Sequence, residues 1–196
     1  MLATEVDPTT TPGWFHHGAK ILELVEQVRP TVCVELGTWL GASAIPVACA
    51  IRRWQGTLTC IDTWAGDVRP TGVRTNAAPW MLVSCARNIM DAGLGPTIRL
   101  IPATTQDAAL SWTQPIDYLY IDAAHDYASV RADLHAWAPH VRPGGVMLGD
   151  DYGSHLFPGV KTAWDEFAVE TGALFQTYQS DPPDRDGVQL VYGIKE

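Results

Sequence analysis

Basic residues are scarce: 13 lysines and arginines stand against 22 aspartates and glutamates, a formal charge of −9 over 196 residues. Nucleic-acid partners need a basic stripe along the phosphates, so none is expected here. The four cysteines, at 33, 49, 60 and 85, include no C-x-x-C pair, and each lies in an apolar or helical stretch. They read as reduced core thiols of a cytoplasmic protein, and no disulfide framework is implied. No apolar run approaches the roughly 18 residues of a membrane span, and residues 1–8 lack the basic and apolar regions of a secretory signal. A soluble protein with no membrane partner is expected. The G-x-G-x-x-G of dinucleotide-binding turns is also missing, and no basic residue lies within 35–43, which speaks against a pyrophosphate ligand.

What is present alternates. Residues 1–13 carry two prolines and a threonine run with no apolar period and read as an arm, leaving 14–196 as a single domain. Helical apolar spacing marks 18–28, 44–54, 80–92, 105–112, 127–141 and 160–170, while short β-branched or apolar runs mark strands at 31–35, 57–61, 97–101, 116–121, 145–148, 173–179 and 187–194. Strands alternating with helices predict an α/β fold: a Rossmann-like three-layer α-β-α sandwich on a mostly parallel seven-stranded sheet. The last two strands are joined by a loop, which predicts an antiparallel edge strand. Residues 64–79, with two glycines and two prolines, read as one long loop. With 152–159 it is expected to flank the acceptor pocket.

Acids stand where strands end. Glu35 precedes a glycine turn (Gly37, Thr38, Gly41, Ser43), Asp62 closes the second strand, Asp122 closes 116–121, and Asp150 and Asp151 close 145–148. Carboxyl ends of parallel strands form the rim on which open α/β sheets bind ligands. A glycine turn followed by an acid at the next strand end suits a ribose, whose two hydroxyls Asp62 would accept. Without a phosphate site the ligand reads as an adenosine such as S-adenosylmethionine. Asp122, Asp150 and Asp151 suit a hard divalent cation such as Mg²⁺, and His125 beside them suits proton removal. Each acid taken alone also reads as a plain cap of a turn or helix. Trp64 reads equally as a core aromatic or a wall of the adenosine pocket. His16 and His17, adjacent at a helix start, are expected in solvent or at most at the entrance.

The stretches Val-Glu35-Leu-Gly37-Thr-Trp-Leu-Gly41-Ala-Ser43, Ile-Asp62-Thr-Trp64, Ile-Asp122-Ala-Ala-His125 and Gly-Asp150-Asp151-Tyr resemble the class I S-adenosylmethionine-dependent methyltransferases. More narrowly, they resemble the metal-dependent sugar O-methyltransferases of macrocin and mycinamicin type over roughly residues 13–170. In that family the metal aspartate is followed 28 and 29 positions on by an Asp-Asp pair, the spacing of Asp122 to Asp150 and Asp151 here. The resemblance implies Mg²⁺ on Asp122, Asp150 and Asp151, and His125 as general base. It implies donor contacts from Glu35, Gly37, Thr38, Ser43, Asp62, Thr63, Trp64, Gln106, Asp107 and Asp122. The acceptor it implies is a small hydroxylated molecule, first a sugar hydroxyl in antibiotic or other natural-product biosynthesis and second a catechol-like diol. Catechol enzymes carry lysine at the histidine position and Asp-Asn in the pair, so His125 and Asp151 favour the sugar branch. A cephalosporin hydroxylase-like oxygenase and a non-catalytic donor-binding subunit stay open as readings of another class, as does assembly into a homo-oligomer.

Overall fold

The structure, a computed structural model, describes residues 15–68, 74–75, 80–180 and 187–196. The expected arm at 1–13, and 69–73, 76–79 and 181–186 within the two expected loops, lie outside these. Six helices and nine strands are described: α1 Gly18–Val28, β1 Val32–Leu36, α2 Ala44–Ile51, β2 Thr57–Asp62, β3 Asp67–Val68, β4 Arg74–Thr75, α3 Met81–Asp91, β5 Ile98–Pro102, α4 Thr105–Ser111, β6 Ile116–Ile121, α5 Tyr127–Trp137, β7 Val141–Tyr152, α6 Pro158–Thr171, β8 Gln176–Tyr178 and β9 Gln189–Ile194.

Seven strands form one sheet in the order β5-β2-β1-β6-β7-β9-β8, parallel except that β9 runs against both neighbours. The reversal falls at the edge expected from the loop-joined last strands, with short β8 outermost. Strand parity builds two cores. Tyr118, Tyr120, Val146 and Leu148 pack on one face beneath Ile21, Leu24, Ile45 and Ile51 of α1 and α2. Leu119, Ile121 and Met147 pack on the other beneath Leu134 and Trp137 of α5 and Trp164 and Phe167 of α6. Helix ends follow local chemistry. Thr104 and Asp126 accept the third-residue N–H groups of α4 and α5, and Gly172 closes α6 at φ +72°.

Two elements depart from expectation. The loop 64–79 contains the antiparallel pair β3 and β4, too short to carry a period. β7 begins at Val141, because Gly144 N–H and Gly145 C=O pair with Lys195, a tertiary contact that overrides the Pro-Gly-Gly stop signal. Among the described residues, no helix is long and apolar enough to cross a membrane.

Candidate active site

After β1 the chain crosses to β2 on one side, and β6 takes the place on the other, so the order reverses between β1 and β6. Such a switch point opens a crevice at the carboxyl ends. Gly37 enters it at φ +83°, and a Cβ there would fall 2.0 Å from the main-chain oxygen of Asp122. Only glycine lets the loops after β1 and β6 pass so close, and Asp122 N–H donates to Leu36 O at 2.8 Å to tie them.

The turn after Gly37 hangs on Asp62. Its Oδ2 accepts the N–H groups of Thr38 and Trp39 at 3.0 and 2.9 Å, and its Oδ1 accepts that of Trp64 at 2.7 Å. A carboxylate offers about four lone-pair sites, so one remains for a ligand. Glu35 is fully buried. Ser43 Oγ donates to its Oε1 at 2.9 Å, while Oε2 has no hydrogen-bond partner. Burial lifts its carboxyl to about 7 even though Ser43 favours the charged form.

Glu35, Gly37, Thr38, Ser43, Asp62 and Asp122 thus converge at the switch point. Thr63 is exposed beside them, its Oγ1 accepting Ala65 N–H. Of the other three expected donor residues, Trp64 joins the turn through its main-chain N–H on Asp62, and Gln106 and Asp107 stand on α4, which follows the strand paired with Asp62. Trp64 is 5 % exposed, belongs to the core beneath α2 and α3, and donates its indole N–H to Trp39 O. Gln106 donates to Asp133 of α5 at 2.8 Å, and Asp107 is exposed in the first turn of α4.

At the ends of β6 and β7, His125 Nε2 lies 2.8 Å from Asp151 Oδ2 and 3.6 Å from Asp122 Oδ1. Ligand atoms of these three residues all lie within 4.8 Å of one another. Phe157 stacks on the imidazole at 4.5 Å and fixes its plane. Burial opposes charge on His125, but hydrogen bonds to Asp122 and Asp151 overcome it and lift the ring to about 10. Asp151 sits at φ +57°, inside the register shift between Gly149 and Tyr152. A non-glycine residue in that region is held by its surroundings, here with its carboxylate aimed at His125.

Asp150, one residue earlier on the strand, takes the opposite direction. Tyr120 O–H donates to its Oδ2 at 2.9 Å, Asp151 N–H to its Oδ1 at 2.9 Å, and His17 Nε2 lies 3.5 Å from Oδ1. Asp150 still lines the small rim pocket that Asp122 and His125 line. The expectation for His17 is corrected: it is 1 % exposed and set edge-on to Tyr178, whereas His16 alone is exposed. Burial and mutual repulsion raise the carboxyls of Asp122 and Asp150. Asp122 and Asp151, with His125 between them, form the negatively charged set whose donors suit a divalent cation, while Asp150, also expected as a ligand, lines the same pocket from outside that group.

Reading the sequence left His17 no role beyond the entrance and assigned none to Tyr120 or Phe157. Tyr120 meets Asp150 because it pairs in register with Leu148, two residues before Asp150 on the neighbouring strand. For His17 and Phe157 only the tertiary packing reveals the role.

Comparison with known proteins agrees with this architecture. Over 172 residues, 85% of the chain, it is 29% identical to the uncharacterized protein y4gI of Sinorhizobium fredii, and the match spans 18% of that longer protein. Among solved structures it is similar to an O-methyltransferase of Bacillus cereus in complex with SAH, at 18% identity and TM-score 0.70 over 95% of this chain and 84% of that one. It is similar to the O-methyltransferase NovP at 23% identity and TM-score 0.67, covering 90% and 79% of the two chains. It is also similar to TomG of Streptomyces achromogenes, an O-methyltransferase involved in tomaymycin synthesis and solved with SAM, at 16% identity and TM-score 0.66 over 92% and 80%. The profile of a methyltransferase domain family matches residues 34–152, from β1 through the end of β7, and by that match the chain belongs to the methyltransferase domain family.

Proposed function

We propose that this protein is an S-adenosylmethionine-dependent O-methyltransferase that requires a hard divalent cation and methylates a hydroxyl of a small molecule, first of all a sugar hydroxyl. The observation that carries the reading is the set of Asp122, His125 and Asp151 at the switch point, with Asp150 on the same pocket. Glu35, Gly37, Thr38, Ser43 and Asp62 form the donor side, with Thr63 at its edge. When bound there, S-adenosylmethionine supplies a methyl group already activated by its sulfonium. Asp122, Asp150 and Asp151 would hold the cation, which supplies Lewis acidity toward the acceptor hydroxyl and neutralises the carboxylates. With that negative charge neutralised and the carboxylates turned to the cation, the upward pull on His125 would weaken, and a ring nitrogen freed from Asp151 could take the hydroxyl proton. The deprotonated oxygen would form the new O–C bond while the donor's S–C bond breaks with its electrons left on sulfur. Phe157 holds the plane of the imidazole, so positioning supplies much of the acceleration.

His125 and Asp151 favour the sugar-type branch over a catechol-type one. An iron oxygenase site ordinarily combines two histidines with one carboxylate, and no such trio is gathered among the described residues. The test is a screen of hydroxylated acceptors with labelled donor, run with Mg²⁺ and with EDTA, on wild type and His125→Ala. The variant is expected to bind donor as wild type does and to lose turnover by about 10²-fold or more. Equal turnover in the variant removes His125 from the reaction, and full activity in EDTA removes the cation.

A further inference from the structure

The buried pair His17–Asp150 lies outside the set that the proposed reaction uses directly. We infer that His17, at the start of α1, is a positioning residue that holds Asp150 in its place in the divalent-cation site; this inference rests on the cation reading above.

The geometry gives Asp150 little freedom except through its neighbours. It is one of two consecutive strand residues, and parity turns its carboxylate toward the α1 face while Asp151 turns toward His125. On the α1 face Oδ2 is fixed by Tyr120 O–H at 2.9 Å. Oδ1 is approached from one side by Asp151 N–H at 2.9 Å and from the other by His17 Nε2 at 3.5 Å. His17 cannot swing aside. It is 1 % exposed, its ring stands edge-on to Tyr178 with centroids 6.1 Å apart, and the chain around it is locked by Gly18, where a Cβ would fall 2.5 Å from the Phe15 ring. Facing Oδ1 at 3.5 Å, the imidazole closes the third side of one carboxylate through an electrostatic contact longer than a hydrogen bond. Carboxylates that ligate cations are ordinarily oriented by such polar partners, and losing one typically weakens metal binding by about 10- to 100-fold.

The experiment measures binding of Mn²⁺ alone to the full chain, by calorimetry, with donor affinity and thermal unfolding recorded beside it. His17→Phe keeps the ring and its edge contact with Tyr178 but removes the donor. It is expected to bind Mn²⁺ about 10- to 100-fold more weakly, with donor affinity within about twofold of wild type. His17→Gln, which restores an N–H donor, is expected to recover most of the loss. In an Asp150→Asn background, His17→Phe should change the Mn²⁺ affinity no further. If His17→Phe does not fold, His17→Asn, polar but too short to reach Oδ1, takes its place with the same expected loss. Wild-type Mn²⁺ affinity in either donor-less variant overturns the inference and leaves the cation site standing. Failure of wild-type protein to bind Mn²⁺, or undiminished binding in Asp151→Asn, overturns the cation reading and the inference with it.

Discussion

Glu35 is the residue on which burial acts most plainly. Its carboxyl is fully buried with one oxygen unpartnered, and burial moves it from the ordinary 4.5 to about 7. The folded state therefore holds this proton more tightly than the unfolded state does. Its contribution to stability is complete below pH 4.5, declines as pH rises, and is lost above about 7. The difference across that window is on the order of 3 kcal/mol. Glu35→Gln keeps the shape without the charge. Urea unfolding from pH 4.5 to 8 should show the variant losing less stability than wild type between about pH 4.5 and 7; parallel curves would mean that Glu35 does not titrate in the fold. Asp62 teaches a related lesson about legibility. Its place at a strand end was readable, since the acid follows the second β-branched run directly. Its bonds to Thr38, Trp39 and Trp64 were not, because they depend on how the glycine turn folds back over it. For Trp64 the sequence left core aromatic and ligand wall equally open, and the indole lies in the core.

At the scale of elements, the seat of α6 on β7 connects packing to the site. Gly149 lies immediately before the acidic pair, and a Cβ there would meet the Trp164 indole at 2.5 Å. That ring is fully buried and edge-on to Phe175 at 4.9 Å, so it has nowhere to retreat. Gly149→Ala is expected to destabilise the protein by about 1–3 kcal/mol through overpacking. Trp164→Phe alone opens a void and destabilises too. Combined, the two should sum to less than their separate effects by about 0.5 kcal/mol or more, because the smaller ring vacates space that the methyl needs. Strict additivity in urea unfolding would sink this account of the contact. Element positions were largely legible because period and stop signals are local: α1 was expected at 18–28 and is found there. The start of β7 was hidden by Arg142-Pro143-Gly144-Gly145, whose strand character comes from pairing with Lys195 more than fifty residues on. His17 was hidden for the same reason, since nothing near residue 17 announces Asp150.

For the whole molecule, the proposed ligands and the folded state must report on one another. A ligand that binds only the folded protein at a hundred times its Kd adds about 2.7 kcal/mol of stability. In a chain of this length each kcal/mol moves Tm by roughly 2–4 °C, so saturating donor and saturating Mg²⁺ should each raise Tm by about 5–10 °C. Asp151→Asn is expected to abolish the Mg²⁺ rise and keep the donor rise, since Asp151 lies on the acidic side of the switch point and Glu35, Gly37 and Asp62 on the other. The two rises should also differ in their pH dependence. Burial and mutual repulsion raise the carboxyls of Asp122 and Asp150, so protons compete with the cation for them as pH falls. The Mg²⁺ rise should therefore be larger at pH 8 than at pH 6. A rise equal at both, or one that survives Asp151→Asn, would place the cation elsewhere on this acidic surface and leave the rim acids as caps of their own turns.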